Sequence, residues 1–98
     1  MKSCKRIEIV IEEALTRRLS LLLESLDVPG YTLIPRASGR GDRGVRRGDD
    51  PTGTMTNVVF VIAVEDDAVV ARIVEGVRPL LARSGGICLV SDAMWLRH

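Results

Sequence analysis

Between Gly39 and Asp50 the chain reads GRGDRGVRRGDD, with glycines at 39, 41, 44 and 48 and arginines at 40, 43, 46 and 47. Glycine lets the backbone reach positive φ and approach a ligand closely, while each guanidinium offers planar, permanently charged donors. That combination suits a carboxylate, a carbonate or a phosphate. Asp42, Asp49 and Asp50 temper the charge, and the stretch holds no aromatic ring on which a nucleic-acid base could stack. Counted from Ala37 to Thr56, the excursion is about twenty residues, longer than the ~12–15 tolerated without secondary structure in compact domains. We read it as a ligand-responsive arm. A catalyst would need more than this. There is no interior histidine, no nucleophile beside a base and no carboxylate pair with a metal partner. His98 reads as a solvated terminal residue, and Cys4 and Cys88 lack metal-ligand spacing and read as reduced thiols.

The segments on either side must position this arm. Cys4 to Glu12 alternates, with Ile7, Ile9 and Ile11 on one face, as a half-buried strand requires. Leu15, Leu19, Leu22 and Leu26 then recur at helical spacing, predicting a helix from about Glu13 to Leu26 that Val28-Pro29-Gly30 stops. Tyr31 to Arg36 reads as a second strand, and Pro35 places it at a sheet edge, at a bulge or near its own end. Asn57 to Val64 is a run of β-branched residues, which predicts a central strand covered on both faces. Asp66 and Asp67 suit a helix start, and Val70, Ile73, Val74, Val77 and Leu81 carry the helix to about Ala82, with a kink or a tightened last turn expected at Pro79. Ser84-Gly85-Gly86 ends it, and Ile87 to Val90, extendable to Leu96, supplies a fourth strand. The order is that of an α+β, ferredoxin-like βαββαβ sandwich: a four-stranded antiparallel sheet with two helices on one face and a long loop, about 38–56, between the second and third strands. The uncovered face predicts a homo-oligomer. Trp95 and Met94 read as a packing pair at that interface. Tyr31 fills core space or lines a cleft, and the residue types leave both open.

Composition bounds the rest. Residues 1–98 make one domain, 46% hydrophobic and 28% charged, with one Trp, one Tyr and one Phe, so the core must be aliphatic. A net charge of +1 argues against a protein-wide footprint for DNA or anionic membrane. No apolar run approaches the ~18 residues of a membrane span, and MKSCKRIEIV leads directly into a strand, so a cytoplasmic protein without membrane insertion is expected.

Several short stretches, in this order and on these elements, resemble the PII signalling family. Pro29-Gly30-Tyr31-Thr32-Leu33 is similar to the strand leading into the family's T-loop, Ser38-Gly39-Arg40-Gly41 to the Gly-x-Gly at that loop's base, Glu65-Asp66-Asp67 to the acidic opening of the second helix, and Ser84-Gly85-Gly86-Ile87 to a shortened B-loop. Arg97 falls where a phosphate-contacting arginine is expected. The resemblance implies a homotrimer with adenine nucleotide in the clefts between subunits. Thr32 and the backbone of Ile62 and Ala63 would meet the adenine, Gly39, Gly41, Gly85 and Gly86 would offer N–H groups to phosphates, and Arg97 would add charge. Consecutive N–H groups in tight turns do form anion-binding nests.

The departures narrow this. The arm has no tyrosine to accept uridylylation, Gly86 replaces a lysine of the nitrogen-sensing members, and the residues that bind 2-oxoglutarate have no match. A short arm rich in glycine and arginine is similar instead to the carboxysome-associated branch, which implies ADP or AMP with bicarbonate as ligands, no further cofactor or metal, and a protein target such as an inorganic-carbon transporter. For bicarbonate the expected donors are the backbone of Gly39, Arg40 and Gly41 with Arg40, Arg46 and Arg47, of which Arg46 or Arg47 is preferred for closing over the anion. The function implied is signalling of energy and carbon status, not catalysis. Two other classes stand beside it: a nucleic-acid binder using the arm, whose signature would be steep salt dependence, and a small-molecule enzyme on the same fold.

Overall fold

The computed structural model describes residues 1–41, 44–46, 48 and 56–97. Strand β1 (Lys2–Glu12) leads through a 3₁₀ turn (Glu13–Leu15) into helix α1 (Thr16–Ser25), and β2 (Thr32–Ala37) follows. Two three-residue strands, β3 (Gly39–Gly41) and β4 (Gly44–Arg46), precede β5 (Asn57–Val64), α2 (Asp67–Ser84) and β6 (Ile87–Trp95). The main sheet has the order β2-β5-β1-β6 and is antiparallel throughout. This is the expected α+β sandwich.

Packing follows from strand parity. Ile7, Ile9 and Ile11 on β1 and Val58, Phe60, Ile62 and Val64 on β5 point to the helices and are buried with Leu19, Leu23, Ile73, Val77 and Leu80. The core is aliphatic around the single ring of Phe60, against which Tyr31 packs at 5.1 Å while its hydroxyl bonds Ser20 Oγ at 3.0 Å. Residues of the other parity form the face without helices. There the register places Ile34, Val59, Val10 and Ile87 in one row across all four strands. Ile34, Ile87 and Leu89 are 47%, 45% and 49% exposed on it. Thus β5 is covered by helices on one side and exposes an aliphatic row on the other.

The ends of the elements have local causes. Helix α1 stops before Pro29 is reached: Asp27 takes φ 56°, Val28 N–H donates to the Leu23 carbonyl and Asp27 N–H to that of Glu24, both at 3.2 Å. That is the paired bonding of a Schellman motif, with Val28 packed on the core as its apolar partner. Asp66 caps α2 by accepting from Ala68 N–H at 2.9 Å, and α2 runs on through Pro79 to Ser84. Pro35 lies on the edge strand at a register shift between Ile34 and Ala37, where Arg36 takes φ 55°. Cys4 and Cys88 are unbridged, and burial pushes the Cys88 thiol up, which suits inert thiols.

The base of the arm has secondary structure that residue types did not announce. Gly39, Arg40 and Gly41 pair with Arg46, Val45 and Gly44 in a small hairpin. Gly48 folds back on this base, its N–H donating to Ser38 Oγ at 2.5 Å. Arg46 ties the hairpin to the body. Its side chain is only 12% exposed, Nη1 donates to Asn57 Oδ1 and Nη2 to the Ser84 carbonyl, each at 2.7 Å, and Glu12 Oε2 lies 3.7 Å from Nη2.

Two outcomes follow from these contacts. Gly86 has φ +106°, and a Cβ there would overlap the Val10 carbonyl, so Gly86→Ala is expected to lose at least ~1–3 kcal/mol in a thermal or urea melt. Gly30→Ala, with open space around the position, serves as the control and should melt close to wild type. Arg46→Gln removes charge-assisted bonds worth ~1.5–3 kcal/mol each. Amide hydrogen exchange in 39–41 and 44–46 should accelerate while the amides of β1 and β5 keep their protection; unchanged exchange at the hairpin would show that Arg46 does not anchor it.

Candidate functional site

The residues that could bind an anion or a base are gathered at two places, one at each end of β5. At the Asn57 end lies the arm. Gly39 stands opposite Arg46 in the hairpin, and an ideal Cβ on it would be 3.6 Å from Asn57 Nδ2. Arg46 bridges to Ser84, so the Gly85–Gly86 turn is brought beside the base of the arm. Gly85 and Gly86 have φ of 74° and 106°, two successive residues in the left-handed half of backbone space. Gly85 N–H closes α2 by donating to the Leu81 carbonyl at 2.8 Å. Arg40 and Gly41 are exposed beside this turn-and-hairpin junction. The local charge is mixed: the Arg46 guanidinium faces Glu12, and Thr56, buried at 1% exposure, donates to Glu13 Oε2 at 2.5 Å.

At the other end a cleft of about 440 Å³ opens, lined by Pro29 to Thr32, Val61, Ala63 and Trp95 to Arg97. Pairing of β2 with β5 begins at Thr32 and Val61, so no strand covers the β2 side of β5 from Ile62 to Val64. The main-chain groups of this stretch that point away from β1 face that side, where they could read the edge of a planar base. Thr32 adds a hydroxyl and Tyr31 an aromatic side, so Tyr31 serves both the core and the cleft. Arg97 stands at the rim. Its Cζ lies 5.0 Å from the centroid of the Trp95 ring, and its Nη1 donates to Glu65 Oε2 at 3.3 Å.

The residues named from sequence thus divide into two groups. Thr32, Ala63 and Arg97 line the cleft, and the side chain of Ile62, 1% exposed, faces the core, leaving its backbone alone to contribute. Gly39, Arg40, Gly41, Arg46, Gly85 and Gly86 lie at the arm end. Arg47 lies outside the described residues, as do Asp42, Arg43, Asp49, Asp50 and His98. From Asn57 to Ala63 is six residues of extended chain, about 20 Å, so the two groups of one chain are too far apart to hold one nucleotide together. Sequence reasoning missed Trp95 as a cleft residue and Glu65 as the hydrogen-bond partner of Trp95 and Arg97. Met94 and Trp95 do not form a packing pair, because successive strand residues face opposite sides; Trp95 lines the cleft and Met94 is 60% exposed. A tryptophan two residues before the arginine was the available signal. Among the described residues no cluster of His, Cys, Asp and Glu could hold a metal, and no helix is long and apolar enough to cross a membrane.

Comparison with known proteins places this geometry. The family model described as nitrogen regulatory protein P-II matches residues 4–98. CPII, a nitrogen regulatory PII-like protein from Thiomonas intermedia K12, solved bound to ADP, AMP and bicarbonate, superposes with a TM-score of 0.86 at 27% identity, over 94% of this chain and 87% of that one. The same protein bound to ADP and bicarbonate gives 0.81 at 26% identity, with the same coverage of 94% and 87%. The GlnK–ATP complex of B. subtilis, at 17% identity and a TM-score of 0.65 over 93% of this chain and 82% of that one, shares the fold. A search among curated proteins gave no match. With the family model matched from Cys4 to the C-terminal residue and the βαββαβ sheet order in place, the chain belongs to the PII family of regulatory signalling proteins.

Proposed function

We propose that this chain is a PII-like regulator that binds ADP or AMP between subunits of a homotrimer and bicarbonate at the base of its arm, reporting energy and inorganic-carbon status to a protein partner in the cytoplasm. The observation that carries this reading is the split site. The cleft of Thr32, Ala63 and Arg97 has a base-reading edge and one cation, whereas at the junction of Gly39, Gly41, Gly85 and Gly86 the missing side chains let a phosphate approach the backbone closely, with Gly85 N–H itself spent on the Leu81 carbonyl. Neither is a whole nucleotide site. Placing the cleft of one copy against the arm end of the next completes it. The uncovered row of Ile34, Val59, Val10 and Ile87 supplies the apolar surface through which copies would associate.

Bicarbonate needs several convergent donors to compete with water, because it is small and singly charged. The hairpin brings the main chain of Gly39 to Gly41 and the Arg40 side chain to the nucleotide's phosphate end, with Arg46 beside them and Arg47 next in sequence. Two of the five N–H groups of Arg46 are committed to Asn57 and Ser84, so it can hold the hairpin and still donate to an anion. Likeness to CPII, a protein bound to adenine nucleotides and bicarbonate in its own structures, supports the same ligand pair here. The reading is of a sensor and not of an enzyme: a bound nucleotide orders the arm, and the arm is what a partner touches.

Calorimetric titration with ADP, in carbonate-depleted buffer and in bicarbonate at matched pH and ionic strength, tests this directly. ADP should bind more tightly in bicarbonate by about 5–150-fold, the range of an ordinary coupling energy of ~1–3 kcal/mol. Arg46→Ala or Arg47→Ala should abolish the bicarbonate effect while ADP still binds. Loss of the effect in neither variant removes the arginine from the anion site. ADP binding indifferent to bicarbonate removes bicarbonate as the second ligand, and no ADP binding at all discards the reading.

A further inference from the structure

We infer that Glu65 and Trp95 set the nucleotide affinity of the cleft by governing where the guanidinium of Arg97 sits. This rests on the nucleotide reading above and deepens it. Glu65 lies between β5 and α2, the first of three consecutive acids. Asp66 is spent on the helix cap and Asp67 opens the first turn, which leaves Glu65 to Trp95 and Arg97 at the cleft rim. Three groups converge on its carboxylate: Trp95 Nε1 donates to Oε1 at 3.4 Å, Lys2 Nζ stands 3.8 Å from Oε1, and Arg97 Nη1 donates to Oε2 at 3.3 Å. Arg97 at the same time stacks over the Trp95 ring at 5.0 Å.

The contact of Arg97 with Glu65 is at the long end of hydrogen-bond distance and 55% of the Arg97 side chain is exposed, so the carboxylate holds it loosely. A phosphate can offer it two shorter, charge-assisted bonds. Handing Arg97 over strands nothing, because Glu65 keeps Trp95 and Lys2 on its other oxygen. Trp95 then holds the cation at the rim through its ring face, independently of which anion Arg97 serves. Glu65 is therefore a competitor of the ligand's phosphate for Arg97, and Trp95 is the positioning residue that keeps Arg97 in reach. The prediction is one of opposite signs: removing the charge of Glu65 strengthens phosphate binding, whereas removing the ring of Trp95 weakens it.

The test compares ADP with adenosine on the full chain, by calorimetry and by the emission of Trp95, the only tryptophan. Arg97→Ala should weaken ADP by about ten-fold or more and leave adenosine unchanged. Glu65→Gln should tighten ADP about two- to five-fold, the scale of an exposed ion pair, again without effect on adenosine. Trp95→Leu should weaken ADP several-fold and Trp95→Phe should restore most of the loss. Thermal melts check that the variants fold alike. A Glu65→Gln variant that binds ADP as wild type does, or more weakly, overturns the competition. A loss shared equally by ADP and adenosine in Trp95→Leu overturns the positioning role. If wild type binds ADP and Arg97→Ala binds it just as tightly, this inference alone fails; if wild type binds no ADP, the nucleotide reading fails first and takes the inference with it.

Discussion

The sheet of this protein is covered on one face only, and most of what it does depends on that. Two helices suffice to bury Ile7, Ile9, Ile11, Phe60 and Ile62. They do nothing for Val10, Val59, Ile34 and Ile87, which share a row on the opposite side. An aliphatic row across four strands is unfavourable in water, and other copies of the chain carry matching apolar surface always available to it. The same strand that makes the row, β5, also carries the arm at its first residue and the cleft near its last. Its length keeps the two apart within a chain, and association of copies is what would bring one copy's arm to another's cleft. Ligand binding and assembly would then stabilise each other, since a nucleotide held by two copies binds neither one fully when alone.

Within the arm, the decisive contact is a single guanidinium. Of the two described arm arginines, Arg40 is exposed and Arg46 is turned inward, its hydrogen bonds reaching two different elements, Asn57 on β5 and Ser84 at the end of α2. At 12% exposure these bonds are shielded from water far better than a surface ion pair, so losing one partner costs more than the bond itself contributes. Arg46 thereby makes the hairpin at the base of the arm and the Gly85–Gly86 turn one mechanical unit. An anion lodged against either would be felt by the other.

How much of this could be read from residue types varies with the range of the interaction. The bounds of the Asn57–Val64 strand were legible, because β-branched residues crowd it and Asp66 marks where the next helix must start, but the helices cover one of its faces and not both. Pro35 announced an edge, a bulge or a strand end, since the ring removes a donor that a central strand needs, and it lies on the edge strand at a register shift. Leu23 and Leu80 were missed as core residues. The leucines of α1 fill two neighbouring rows, and spacing alone does not say which row faces inward; Leu22 is instead set close against Gly76 of α2. The hairpin of Gly39–Gly41 with Gly44–Arg46 was illegible for another reason. Glycine and arginine have no strand preference, and what fixes this pairing lies outside it, in Asn57 and Ser84. Glu65 and Trp95 are thirty residues apart in sequence and meet only when β5 and β6 are both in place around β1. The cleft's residue list was half legible by resemblance, while the contacts that orient Arg97 were not legible at all.

The choice of arginine over lysine at position 46 follows from the same geometry. A lysine ammonium is a single point on a flexible stem and can sit against Asn57 or against Ser84, but the two acceptors lie on separate elements and are met here by separate nitrogens of one rigid fork. Beyond the two N–H groups so used, the planar group carries three more. An ordered hairpin whose anchoring residue still has donors to offer is well suited to bicarbonate, an anion too weakly charged to organise a loop alone. Ordering a loop costs ~1–2 kcal/mol per residue, and each charge-assisted hydrogen bond returns only ~1.5–3 kcal/mol. With the six residues of β3 and β4 already paired, an anion bound at this base would not have to order them.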